Sequence, residues 1–445
     1  MEEQIGQWRA YVQRARALEP ADVDELEEHL REQIADLSTG GLQDDEAFLV
    51  AVKRMGALDS ISREFAREHS DRLWKQLVLV GSDDDATGRR PRELAMALAL
   101  SVGAALALKA GITWLPETLA IRNSSLLVLP FLAAYFCWKR HLGIPVVATL
   151  VAVAVVVGLV LNLYPYDDAF AAESMSDVLI VLHAPVVLWF AVGIAYAGGH
   201  WRSHERRMDF VRFTGEWVVY YVLLALGGGL LMALTVGAFA TLDINIERAL
   251  VDWVLPWGVA GAVVVAAWLV EAKQNVVENI APVLTRVFTP LTVLMLVAVL
   301  LAFMIAPDVI DVARELLIVM TAILVLVLGL LLYAVSAHDP LAPPGVFDWL
   351  QFALLVAALA VDAIVLVAML GRIAEFGVSP NKVAALGLNL VILVNLVWST
   401  VLTLRFTRGR GTFAALERWQ TNYLPTYAVW AAWVVVVLPP VFGFE

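Results

Sequence analysis

The chain has 445 residues, 60% of them hydrophobic and 17% charged, with a formal net charge of −12. A soluble protein carries about 25% charged residues, so this composition excludes an ordinary soluble protein. The charge is uneven: residues 1–86 hold 10 Lys/Arg against 20 Asp/Glu and the remainder 21 against 23, so an acidic head unsuited to nucleic acid or anionic lipid precedes a nearly neutral apolar block.

The head, residues 1–80, reads as four short helices. Ile5, Trp8, Val12 and Ala15 recur at helical spacing until Pro20. Val23, Leu26, Leu30, Ile34 and Leu37 form a second apolar stripe, ended by Gly40 and Gly41. A third helix is predicted from Asp44 through Ala47, Phe48, Ala51, Val52 and Met55, and a fourth near Asp59 with Ile61 and Phe65 inward. So small a bundle needs a partner, a second copy or the membrane domain to lean on, and the pattern leaves a homo-oligomer open. Leu73 to Val80 reads as a short surface helix, and residues 81–92 as an acidic-to-basic linker, by their Gly, charges and Pro. Residues 1–90 hold no long apolar run, so no signal peptide is expected. The single cysteine, Cys137, allows no intrachain disulfide and no CxxC metal site.

Residues 93–445 form the membrane domain. Eleven apolar spans are expected, at 94–114, 125–138, 144–164, 177–197, 216–239, 254–271, 287–306, 312–337, 348–370, 382–405 and 425–443, the second of them short. With the head in the cytosol, twelve Lys/Arg fall in inner loops, densest at Arg202, Arg206, Arg207 and Arg212. Five fall outside: Arg122, Arg248, Arg314, Arg372 and Lys382. The positive-inside rule therefore places the N-terminus in and the C-terminus out, with residues 1–92 cytosolic. Trp and Tyr at many span ends suit the interfacial belt.

The ninth span is the sharpest signal. Gln351 to Leu370 is almost wholly apolar and carries one carboxylate, Asp362, past its middle. Inserting a charge at that depth costs about 2.5 kcal/mol or more, so it is expected to face protein or trapped water. Lys109, Asn389 and Asn395 are the other costly groups within spans, and His183 adds a titratable ring. A carboxylate with a lysine or histidine across the bundle reads as a proton or cation relay; the plainer alternatives are a structural pair, or a lysine snorkelling to the membrane face. Asn389 and Asn395 are six apart, about 240° around a helix, so they face different neighbours and read best as interhelical hydrogen-bonding groups.

Glu271, Asn275, Glu278 and Asn279 share one face of a helix leaving span six, which suits a cytosolic mouth or an ordinary polar surface. Gly258, Ala262 and Ala266 form a ridge for close helix contact, and Gly227-Gly228-Gly229 mark either an unwound break or a tightly packed span. His200 and His204 stand four apart as metal ligands on a helix do, but flanking arginines favour a topogenic loop, and neither a metal nor a cofactor is expected. Residues 165–177, with Glu173 and Asp177, make an acidic outer loop, and Pro439-Pro440 end the last helix. There is no Walker A loop, no GxGxxG after a strand and no GxSxG, so catalysis has only membrane-face carboxylates to rest on.

Two parts of the chain resemble known families. Residues 24–69, with Glu-Leu-Glu-Glu-His-Leu-Arg, Gly-Leu-Gln-Asp-Asp-Glu-Ala-Phe and Met-Gly-Ala-Leu before a last helix ending Arg-Glu-Phe-Ala, resemble the permease-prefix, or HAAS-type, signalling domain of bacterial membrane proteins. The resemblance implies a cytosolic interaction module of the sort found with PadR-type regulators, and no chemistry. Residues 268–291, 379–396 and 415–433 resemble a bacterial family of multi-pass membrane proteins whose shared domain has no assigned activity. The expected fold is all-α, a small helical head followed by the polytopic bundle. Three functions fit: a membrane-embedded sensor whose head relays a signal to a cytosolic regulator; a secondary transporter or channel using Asp362; and an enzyme on a lipid-linked substrate.

Overall fold

The computed structural model describes residues 5, 20–39, 47, 48, 50–52, 83–166, 175–240, 246–272, 280–305, 314–338 and 342–444. All regular structure among them is helical. The chain divides into two compact units, Met1–Arg92 and Glu93–Glu445.

In the first unit the helix α1 (Pro20–Thr39) coincides with the expected second helix, opening on a proline whose missing N–H is harmless at a helix start. Its stripe residues Leu30 and Ile34 are buried, with Glu28, Arg31 and Glu32 exposed on the other side. Ile5, Ala47, Phe48, Ala51 and Val52 are buried too. The fourth expected helix and Leu73 to Val80 lie outside the described residues. The stretch read as a linker is helical from Asp83, where α2 (Asp83–Trp114) begins. The apolar run from Leu94 propagates the helix.

The second unit continues with α3 (Glu117–Lys139), α4 (Ile144–Leu163), α5 (Met175–Tyr196), α6 (His204–Ala240), α7 (Leu255–Ala272), α8 (Ile280–Ile305), α9 (Arg314–Ala337), α10 (Val346–Phe376), α11 (Pro380–Thr407), α12 (Phe413–Val436) and the short α13 (Leu438–Val441). A π-turn, Leu250–Val254, leads into α7. The ten helices α2 to α11 are long and apolar enough to cross a membrane. This is the architecture of a multi-pass helical membrane protein, in which helices satisfy most backbone groups within themselves.

Two expectations change here. The short second span is a full helix, because α3 starts eight residues earlier than the apolar run and takes in Arg122 and Asn123, both buried. Arg122 is therefore a helix residue, not an outer-loop one. The eleventh span does not begin a helix of its own: its residues divide between the second half of α12, which starts twelve residues earlier at Phe413, and α13, which carries Pro439 and Pro440 in its first turn. The first half of α12 is polar, with Glu417, Arg418, Gln420, Thr421 and Asn422, yet the helix packs against α5, α6, α9 and α11.

The core has two main parts. One joins α2, α3, α4, α5, α7 and the start of α6, with Tyr135, Phe136, Leu161, Ile180 and Phe213 at its centre. The other joins α8, α9, α10, α11 and α12, with Leu324, Leu355, Val361, Ile392 and Leu396. Gly227, Gly228 and Gly229 lie inside unbroken helix, with open space where a Cβ would stand. In lipid an unwound turn would orphan backbone groups, so the glycines stay helical. The expected Gly258–Ala262–Ala266 ridge holds in part: Ala266 is buried and Ala262 half-buried, but Gly258 is exposed, and α7 also buries Ala260, Val263, Val264 and Ala267.

Candidate functional site

A cavity of about 510 Å³ opens between α5, α9, α10 and α11, within the range of small-molecule sites. Leu179, Leu182 and His183 of α5, Leu317, Ile318 and Thr321 of α9, and Met369 of α10 contribute to its wall. The junction of α10 and α11 forms one end. There α10 stops at Gly377, whose φ of 75° is the left-handed conformation glycine tolerates. Ser379 and Pro380 then open α11. The tight junction places Arg372, Phe376 and Lys382 together at the cavity. Lys382 Nζ donates to the carbonyls of Gly377 at 2.7 Å and Arg372 at 3.4 Å, capping the end of α10.

His183 lines the cavity, its Nδ1 lying 2.8 Å from the Leu179 carbonyl one turn earlier. Beside the wall, Asn389 donates to Ala385 O at 2.8 Å and to Thr321 Oγ1 at 3.2 Å, and touches Met369 Sδ. Its Oδ1 is buried with no hydrogen bond.

Asp362 lies on the stripe Leu355, Ala358, Asp362, Val365 and Met369, all buried. It is 0% exposed, and among the described residues neither carboxylate oxygen has a hydrogen-bond partner. Met369, two turns along and about 10 Å down the axis, is on the cavity wall. The lysine arm of the expected relay is not assembled. Lys109 donates instead to Asp252 O at 2.6 Å, over the Trp253 ring, at the π-turn before α7. Lys109 and Asp362 stand on helices that pack into different parts of the core, so no bridge joins them.

Asn395 faces the other way, into α12. Its Nδ2 donates to Gln420 Oε1 at 3.0 Å and to Tyr427 Oη at 2.6 Å, while its Oδ1 accepts from Trp419 Nε1 at 2.8 Å and Ser399 Oγ at 2.9 Å. Gln420 Nε2 donates to Ser399 Oγ at 2.6 Å, closing the network. Such a closed set holds helices together and leaves no group for a ligand.

Glu271, at the end of α7, is 3% exposed and bridges Lys139 at 3.0 Å and Arg140 at 3.1 Å on α3. It is a clamp between two helix ends, not a free mouth. Asn275, Glu278 and Asn279 lie outside the described residues. Nor do His200 and His204 share a helix: α6 starts at His204, whose Nδ1 is 3.1 Å from Thr421 Oγ1. Among the described residues no cluster of His, Cys, Asp or Glu could hold a metal ion.

Three buried polar contacts were not read from the sequence. Arg122 pairs with Asp177 at 2.9 Å, both almost fully buried, under the Tyr166 ring. Burial raises the Tyr166 phenol above its ordinary range, Arg122 opposing the shift, so it stays neutral at ordinary pH. His338 pairs with Asp348 at 3.2 Å and stacks on Phe413 at 3.9 Å, and Asp348 also accepts the Gly345 N–H at the start of α10. Arg207 Nη1 donates to Thr421 O at 2.8 Å. Pro425, four residues on, has no N–H to give that carbonyl, so the arginine supplies the donor the proline removes. Pro425 was the available signal for an orphaned carbonyl, but nothing local points to Arg207. No family model, no curated protein and no solved structure matches the chain.

Proposed function

We propose that the chain is a membrane-embedded sensor of a bacterial inner membrane: the bundle takes up a membrane-phase ligand and the N-terminal head relays its occupancy to a cytosolic regulator. The observation that carries this is the cavity between α5, α9, α10 and α11, flanked by exposed Leu182 and Ile318, so that it is reached from the lipid side. It lies where α5, from one part of the core, meets three helices of the other. A ligand seated there favours one relative placement of the two parts, which is the physical content of a signal. The resemblance of residues 24–69 to a signalling module and the lack of an energy-coupling motif support the same reading.

The test is to fill the cavity. Ala385 lines it, and Ala385→Trp occupies the space in the full-length protein. The expected outcome in lipid nanodiscs is altered hydrogen exchange across residues 1–80. Unchanged exchange in a folded variant would sink the relay.

A second reading, secondary transport, is favoured by Asp362 alone, a mid-span carboxylate with no hydrogen bond. Proton and cation flux in proteoliposomes decides it. Flux present in the wild type and lost in folded Asp362→Asn makes the protein a transporter; no flux in either leaves the sensor reading in place.

A further inference from the structure

We propose that the cavity binds an anionic phospholipid, with an acyl chain along the α5–α9 wall and the phosphate held by Arg372 and Lys382. The proposal rests on the sensor reading and names the ligand class of that site. Its basis is charge complementarity within an otherwise apolar wall. Of the lining residues, Arg372 and Lys382 are cations and none is a carboxylate. Among the described residues the Arg372 side chain forms no ion pair and no hydrogen bond; its guanidinium lies 5.7 Å from the Phe376 ring centroid. Lys382 uses two N–H groups on carbonyls and keeps a third, with Nζ 5.6 Å from the same ring. Two cations thus flank one aromatic ring at the end of the cavity. The guanidinium fork matches two phosphate oxygens, and the ammonium adds a point charge.

Depth and access select a lipid. Arg372 is in the last turns of α10 and Lys382 in the first turn of α11. Helix ends of a spanning bundle lie where hydrocarbon gives way to headgroups. The positive end of the α11 dipole adds to the same field. The apolar part of the cavity runs inward from there, past Met369, Thr321 and Leu317. Leu182 and Ile318, 62% and 60% exposed, flank its side toward the bilayer, so a chain enters without crossing water.

The experiment uses full-length protein in phosphatidylcholine nanodiscs and a phosphatidylglycerol carrying a diazirine on its acyl chain. Photolysis is followed by peptide mapping of the cross-links. The expected result is labelling of the α5, α9, α10 and α11 segments that line the cavity. Unlabelled phosphatidylglycerol should displace that label roughly ten-fold better than phosphatidylcholine, the effect of two basic groups on one anionic headgroup. Arg372→Gln should remove most of this preference. Its side chain has no polar partner among the described residues, so it tests the headgroup contact without uncapping α10, as Lys382→Gln would. Equal displacement by the two lipids, or a preference unchanged in Arg372→Gln, overturns the phosphate site while lining-segment labelling keeps the receptor cavity. No label on the lining segments overturns both.

Discussion

The two parts of the membrane core differ in where buried charge goes unmet. In the part built on α3, α5 and α7, Arg122 meets Asp177, and Glu271 meets Lys139 and Arg140. In the part built on α10 and α11, Asp348 meets His338, but Asp362 is 0% exposed with neither oxygen hydrogen-bonded among the described residues, and Arg372 and Lys382 border an apolar cavity without an acid. A paired charge in lipid is a fastening between helices. An unpaired one lowers stability and persists only where something outside the chain, a proton, an ion or a ligand, completes it. The second part is therefore where function is expected, and the first reads as its support.

Breaking a pair in the first part should have the largest effect. Arg122→Met leaves the Asp177 carboxylate buried without its cation, an error that costs about 3–5 kcal/mol. Thermal unfolding in detergent should show a sharply lower midpoint, and Arg122→Met with Asp177→Leu should recover most of it. If the single variant melts like the wild type, the pair is not a fastening.

The Asn395 network sharpens the comparison within the second part, since it is the polar set there that is closed. Asn395→Leu strands Trp419 Nε1 and removes the partner of Gln420 Oε1 and Tyr427 Oη. A loss of about 2 kcal/mol is expected, each interhelical bond in a membrane protein being worth about 0.6 kcal/mol and orphaned groups adding to that. The same melting assay reads it, and an unchanged midpoint would mean that water or lipid satisfies the stranded groups.

Asp362→Leu should move the midpoint the other way. Replacing an unpartnered buried carboxylate by an apolar side chain of similar size removes a desolvation cost and returns no loss of bonds, a gain of about 1–2 kcal/mol. A destabilised variant would show that Asp362 has a partner in the membrane, and would remove the contrast between the two parts. Gly228→Ala is the smallest case. Open space surrounds the position, so a shift within about 0.5 kcal/mol is expected, in either direction, by melting midpoint.

Much of the fold was legible because its causes are local. Long apolar runs set the helices; the break at Gly377, Ser379 and Pro380 that brings Arg372 and Lys382 to one ring was not read, although its glycine and proline were a local signal for it. The individual cost of Asp362 was legible for the same reason, since it follows from one carboxylate in an apolar run. Span ends were less so: the second span looked short because Arg122 and Asn123 read as loop, when their partners allow them inside a helix.

What only the tertiary structure decided is which polar groups meet. Arg122 and Asp177 are 55 residues apart, and Arg207 and Thr421 are 214 apart. In a bundle where almost every surface is apolar, the hydrophobic pattern places each helix in the membrane but does not choose its neighbours. That choice rests on packing and on a few hydrogen bonds between distant helices. It left Asp362 without a partner, closed the network around Asn395 and opened the cavity beside Arg372 and Lys382.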